Sequence, residues 1–307
     1  MQKEFYSNGK LLLSGEYAIL DGALGLAVPT KYGQSLKVSE SDSGTLQWTS
    51  FDENGKIWFQ AEFGLKGIKM IKASDEKVSQ TLIGLLLEAQ SQNPDFLSKS
   101  NGVAIETHLT FPRPWGLGTS STLINNMAQW AKVDAYHLLW NAFGGSGYDI
   151  ACAQHNSPII YQVQNGGSKV NEVGFDPSFK ESLYFVHLNQ KQSSKEAIAA
   201  YRKQRFNKQD LVQAISSLTE KMVNAASLGE FQSLMEEHEA IMSNVLQIPT
   251  VKSQLFPDYP GAIKSLGAWG GDFILAAGNG QTLNYFVNKG FHTVVPFSKM
   301  VLLNTNT

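Results

Sequence analysis

Four glycine-rich segments hold most of the residues that could do chemistry: Asn8–Gly22 (NGKLLLSGEYAILDG), Pro114–Ser121 (PWGLGTSS), Gly144–Ala153 (GGSGYDIACA) and Gly267–Phe273 (GAWGGDF). In the second, glycines let the backbone approach an anion closely. The helix that starts near Ser120 aims unpaired N–H groups and a positive dipole end at the same place. Phosphate binding through Pro114, Gly116, Leu117, Gly118, Thr119, Ser120 and Ser121 is the chemistry this suits, and a helix cap in a turn is the plain alternative. A second anion site is spelled by Asn189–Glu196 (NQKQSSKE) after a strand-like run. Ser193 and Glu196 have capping-box spacing there, Ser194 lies at the helix start, and Lys191 and Lys195 add positive charge. That combination suits a carboxylate or phosphate, against the reading of an ordinary capped surface helix.

Other reactive residue types carry less. Cys152 is the sole cysteine, which rules out an intramolecular disulfide and a cysteine-based zinc site, and its small neighbours mark it as core. The six histidines show no ligand spacing, and His137 reads as packing or surface. A net charge of −2 supplies no basic field, so neither nucleic acid nor an anionic membrane is an expected partner. The apolar run Leu11–Leu13 is too brief for a signal-peptide core or a membrane span; with the single cysteine, a reducing, cytoplasmic setting is expected. At 307 residues the chain can form two ordinary domains whose cores need no disulfide or metal staple.

The elements that must position these segments are visible in the patterning. Residues 5 to 38 read as strand, turn, strand, with Pro29 near the middle of the second run. Asn54-Gly55 between the aromatic-rich runs Thr45–Trp48 and Lys56–Gln60 marks a hairpin. Val78, Leu82, Leu85, Leu86 and Ala89 follow helical spacing behind Ser74 and Asp75, either of which can cap the start. A strand over Val103–Thr110 leads into the glycine loop, and Leu123, Ile124, Met127, Ala128 and Ala131 continue as a helix. Asp134 caps a short helix through Phe143 that runs into the turn Gly144–Asp149. Beyond Pro158 come strands over Ile159–Val163 and Leu183–Leu188, then helices over about 194–206, 210–226 and 229–247. The turn Gly267–Gly271 and a strand Phe273–Ala277 follow. A domain boundary is placed so that 1–165 and 166–307 form the two domains.

In order and spacing, the four segments resemble those of the GHMP kinase superfamily, over nearly the whole chain. Gly9-Lys10 before an apolar strand and Gly15-Glu16 after it are similar to the opening of mevalonate and bacterial phosphomevalonate kinases. Pro114–Ser121 resembles the phosphate loop, Gly144–Ala153 the substrate-side motif with its aspartate, and Gly267–Phe273 the late glycine motif. The resemblance implies an α+β, two-domain fold: an N-terminal domain with a left-handed β-α-β crossover and a ferredoxin-like C-terminal domain. It implies a monomer or homodimer that uses ATP and Mg2+ to phosphorylate a small alcohol or phosphate acceptor, with mevalonate or 5-phosphomevalonate favoured. By family position, Asp149 is the base and Lys10 its cationic partner. Ser120 binds the metal, and Gly267, Ala268, Gly270 and Gly271 join the phosphate loop at ATP. Glu16, Gly145, Ser146, Gly147, Lys191, Ser193 and Ser194 face the acceptor.

Two positions depart from the pattern. Leu138 stands where mevalonate kinases present a second, glutamate ligand to the metal, a ligand that phosphomevalonate kinases also lack, and Trp269 stands where relatives usually have glycine. They keep open a catalytically silent nucleotide or metabolite binder. Tyr17 after Gly15-Glu16 argues against a sugar kinase, whose opening carries histidine there, and GLGTSS argues against a decarboxylase, whose loop is richer in Ser and Ala.

Overall fold

In the run Thr45–Phe51 every second side chain turns inward, burying Leu46, Trp48 and Ser50, so this strand has one face on a core. The computed structural model describes residues 2–164, 167–190 and 193–303. They form two compact units, each drawn from several stretches of chain. The first comprises Met1–Gly9, Tyr32–Arg113 and Leu117–Gln154; the second comprises Lys10–Lys31, Pro114–Gly116 and His155–Thr307. Two long strands, β1 (Gln2–Ser14) and β2 (Gly25–Glu40), pass from one unit into the other.

In the first unit, β3 (Thr45–Phe51), β4 (Ile57–Gly64) and β5 (Lys69–Ala73) form an antiparallel meander. The Asn54-Gly55 turn joins β3 to β4 as expected, with Gly55 at φ +75°. Helix α1 (Glu76–Gln92) starts on Asp75, whose side chain accepts from Val78 N, and leads to β6 (Val103–Leu109). Strand β6 pairs parallel with β3 and antiparallel with Gln34–Glu40 of β2, so the sheet is mixed. Three helices follow: α2 (Thr119–Ala131), α3 (Ala135–Ala142), capped by Asp134, and α4 (Tyr148–Gln154). Leu36, Trp48, Phe59, Phe63, Leu82, Leu86, Ile105, Ile124, Met127 and Leu138 close one core between sheet and helices. Burial of such side chains stabilises by about 1.5–3 kcal/mol each.

In the second unit, Gly25–Ala27 of β2 pairs with β7 (Ile159–Gln164), which pairs with β8 (Gly167–Glu172). Pro29, which cannot donate to a ladder, lies between the two stretches of β2 that pair with β7 and β6. The chain continues through β9 (Leu183–His187), α5 (Ser194–Lys203), α6 (Lys208–Val223), α7 (Leu228–Leu246) and α8 (Val251–Leu255). It ends in β10 (Ala262–Ser265), β11 (Phe273–Ala277), α9 (Thr282–Asn288), β12 (Val294–Pro296) and α10 (Phe297–Met300). The four strands lie in the order β10-β11-β9-β12, all antiparallel, with helices between β9 and β10 and between β11 and β12. That is the ferredoxin-like connectivity, and the architecture as a whole is α+β, as expected. Helix α5 stops at Lys203, short of the span read from periodicity, while α6 begins earlier than that reading, at Lys208 behind the cap Asn207, and ends earlier, at Val223.

Candidate active site

Within the first unit, α2 begins on Gly118, at φ +95° and with no side-chain cap. Every other described helix of eight residues or more starts on a capping side chain: Asp75, Asp134, Ser193, Asn207 or Ser227. The first-turn N–H groups of α2 are thus left to a ligand or to water. Leu117 is buried and anchors the loop, Thr119 is half-buried, and Ser121 turns inward to donate to Gly118 O at 3.0 Å. Ser120 is exposed.

Asp149 lies in the first turn of α4, half-buried, behind Gly144, Gly145 and Gly147, which have φ of +74°, +101° and +94°. Those positive values turn the chain sharply out of α3 into α4. Ser146 and Gly147 are buried and Gly145 is exposed. A buried polar network joins α4 to α2: Gln154 Nε2 donates to Asn125 Oδ1 at 3.0 Å, and Asn125 Nδ2 donates to Ser7 Oγ at 2.8 Å. Ser7 Oγ in turn donates to Asn126 Oδ1 at 2.7 Å. The helix of Ser120 and the helix of Asp149 are held in one register by these bonds. Leu138 is fully buried on α3 and offers a metal nothing.

Within the second unit, Lys10 is half-buried on β1 and its Nζ donates to Gly116 O at 3.0 Å. Gly116 has φ +64°, and a Cβ there would overlap the Asp272 carboxylate, so this loop position requires glycine. Pro114 O faces His187 Nε2 at 3.2 Å, and the His187 ring packs on Phe273. The late glycine segment is the tip of the β10–β11 hairpin. Gly267 and Gly270 have φ of +63° and +74°, and Gly271 N donates to Ala268 O at 2.8 Å. Trp269 is only 7% exposed, and its indole Nε1 donates to Pro249 O at 3.4 Å, so the ring packs inward.

Glu16 lies in a cluster that the sequence did not single out. Its carboxylate is fully buried, with Lys264 Nζ at 2.6 Å from Oε1 and His238 Nε2 at 3.2 Å from Oε2. His238 Nε2 also lies 3.3 Å from Gly15 N. Burial, reinforced by the Lys264 charge, holds the His238 pKa well below the usual value, so the ring is neutral. As a neutral ring it accepts from Gly15 N through Nε2. Glu239 accepts from Ser265 N and Ser265 Oγ, both at 3.0 Å. Burial pushes its carboxyl up to about 8, with Lys264 pulling it down and Glu16 pushing it further up. Burial raises Glu16 as well, against the opposing pull of Lys264.

These shifts set a pH dependence. A raised carboxyl contributes stability that is fully present below its unfolded value and is lost as pH rises through its folded one, here from the ordinary 4.5 to about 8 for Glu239. His238 acts oppositely: its contribution is present above the ordinary 6.5 and is lost on acidification. Between about pH 6.5 and 8.5 only the carboxyl side of the cluster still titrates. The melting temperature is therefore expected to fall over that range, and less so in Glu239→Gln; thermal scans giving equal falls in both proteins would exclude Glu239 as the cause.

His238, Glu239 and Lys264 left a signal. On α7, His238 and Glu239 occupy the inward stripe of Phe231, Leu234, Met235 and Met242, and Lys264 sits inside a buried strand. Polar groups at core positions demand partners. His187 left none.

Ser193 caps α5, its Oγ accepting from Glu196 N at 3.3 Å, and Ser194 is exposed; Lys191 lies outside the described residues. Among the described residues, no group of three or more His, Cys, Asp or Glu side chains could cage a metal. Magnesium needs no such cage, because it takes one or two protein ligands and fills its shell with phosphate oxygens and water. The exposed Ser120 hydroxyl beside uncapped amides fits that requirement.

No family model matches the chain, and no curated protein matches its sequence. Solved structures do match it in fold. A Methanococcus jannaschii mevalonate kinase aligns with a TM-score of 0.68 at 15% identity over 94% of each chain. The Streptococcus pneumoniae phosphomevalonate kinase, solved with phosphomevalonate and AMPPNP, aligns at 0.68 and 14% identity over 94% of this chain and 95% of that one. A Lactococcus lactis galactokinase solved with galactose aligns at 0.64 and 12% identity, over 94% and 88%. These proteins are all GHMP kinases, and this chain has the GHMP kinase fold.

Proposed function

We propose that the protein is an ATP- and magnesium-dependent kinase that phosphorylates a small alcohol or phosphate acceptor, mevalonate or 5-phosphomevalonate, in cytoplasmic isoprenoid biosynthesis. The observation that carries this reading is the start of α2 on Gly118, uncapped, with Ser120 exposed beside it. Magnesium-bound ATP, when present, supplies the γ-phosphoryl group, whose bond to ADP breaks as the bond to the acceptor oxygen forms. The amides of Gly118 to Ser121 bind the phosphates, with Ser120 as metal ligand. Lys10, already held on the loop by Gly116 O, offers its charge to the transferring group. Asp149 takes the acceptor's hydroxyl proton onto its carboxylate and orients the oxygen. Gly145 to Gly147, Ser193, Ser194 and Lys191 are the residues we assign to binding the acceptor.

The test is ATP turnover against mevalonate, phosphomevalonate, homoserine, galactose and diphosphocytidyl-methylerythritol. Turnover on one of the first two is expected. Galactose alone would move the acceptor to sugars, and nucleotide binding without any turnover would make the protein a silent binder. In the same assay Ser120→Ala should raise the KM for MgATP several-fold with no change in melting temperature, because an exposed hydroxyl contributes little to the core. A variant that only melts earlier would mark Ser120 as part of a helix cap.

A further inference from the structure

The turn that follows β1 is strained at one residue. Tyr17 has φ +59° and ψ −46°, and Ala18 N donates to Glu16 O at 2.7 Å across it, which makes Tyr17 the centre of a γ-turn of the rare positive-φ form. A non-glycine residue keeps such a conformation only where its surroundings over-determine it, and such strain gathers at functional sites. Here the surroundings are explicit. The Tyr17 ring stacks on Tyr201 with centroids 5.4 Å apart. The Tyr201 hydroxyl donates to Asp21 at 2.6 Å, and Lys208 donates to the same carboxylate at 2.7 Å. At the far end of the ring, Tyr17 Oη accepts from Trp269 N at 3.0 Å.

That last bond ends on the tip of the β10–β11 hairpin. One residue earlier in the turn, Glu16 reaches the stem of the same hairpin through Lys264, whose Nζ lies 2.6 Å from Glu16 Oε1 and also donates to Ser265 O at 3.1 Å. Adjacent residues of one turn therefore grip one hairpin at two points. The Glu16 carboxylate is fully buried against Lys264 and His238.

We propose that Glu16 and Tyr17 form a two-point clamp on the late glycine hairpin, making Glu16, Tyr17 and Lys264 positioning residues for Gly267–Gly271. Glu16 then acts through Lys264 and not on the acceptor. The clamp presets the tip, so that its glycine amides need not be ordered when a nucleotide arrives. This consequence for nucleotide affinity rests on the kinase reading above; the clamp itself does not.

Tyr17→Phe removes one acceptor atom and keeps the ring. Amide hydrogen exchange of the 266–272 peptide is expected to accelerate in this variant, and identical exchange in wild type and variant would overturn the clamp. Calorimetric titration with magnesium AMPPNP should show several-fold weaker binding, with the acceptor KM unchanged. Faster exchange with unaltered AMPPNP affinity would overturn the link to nucleotide. A wild type that does not bind AMPPNP would overturn the kinase reading, while the exchange result still decides the clamp. Glu16→Gln separates the two roles of Glu16: a raised MgATP KM supports the clamp, and a raised acceptor KM alone overturns it.

Discussion

Asp149→Asn is expected to lower kcat by roughly 10²–10⁴-fold while MgATP affinity stays near wild type, the range for losing a positioned base. The substitution keeps the size of the side chain and an oxygen at the start of α4, so the glycine turn before it and the Gln154–Asn125 tie behind it should both persist. What disappears is the capacity to accept a proton. A base works only once the acceptor is in place, so kcat and kcat/KM for the acceptor should fall together. Asp149 is half-buried, and the melting temperature should move little. Near-normal turnover in stopped assays would remove Asp149 from the role of base. An early-melting variant with weakened nucleotide binding would assign it to the architecture of α4.

Lys264→Met is expected to produce the largest loss of stability of any substitution considered, about 3–5 kcal/mol, because it strands a buried carboxylate without its counter-charge. Lys264 and Glu16 are both fully buried and lie 2.6 Å apart, and Glu239 adds a second carboxyl beside the same ammonium. Against a typical total stability of about 5–15 kcal/mol, such a loss would unfold a sizeable fraction of a marginal protein. The double variant Lys264→Met with Glu16→Gln removes both charges and should recover most of the loss. Urea titrations of the single and double variants give the coupling directly. A cost below about 1 kcal/mol for Lys264→Met alone would mean that water reaches the pair.

Much of the fold was legible because its signals are local. Helical spacing over Val78–Ala89, the Asn54-Gly55 turn and the caps Asp75, Asp134 and Ser193 each depend on residues within a few positions of one another, and each is where the patterning puts it. The ends of α5 and α6 were less legible, since apolar spacing does not mark the polar first turn that Asn207 caps at the start of α6, or the point where α5 stops.

For the candidate site, the sequence by itself determined which segments are rich in glycine and which helix start carries hydroxyls, because those are properties of residue type and near neighbours. Only the tertiary structure decided what each polar side chain does there. It used Ser121 inside the helix start and left Ser120 exposed. It turned the Trp269 indole inward and paired Glu16 with a lysine 248 residues away. The physical reason is desolvation: a buried charge must find a partner, and which partner arrives depends on long-range packing that no local pattern encodes.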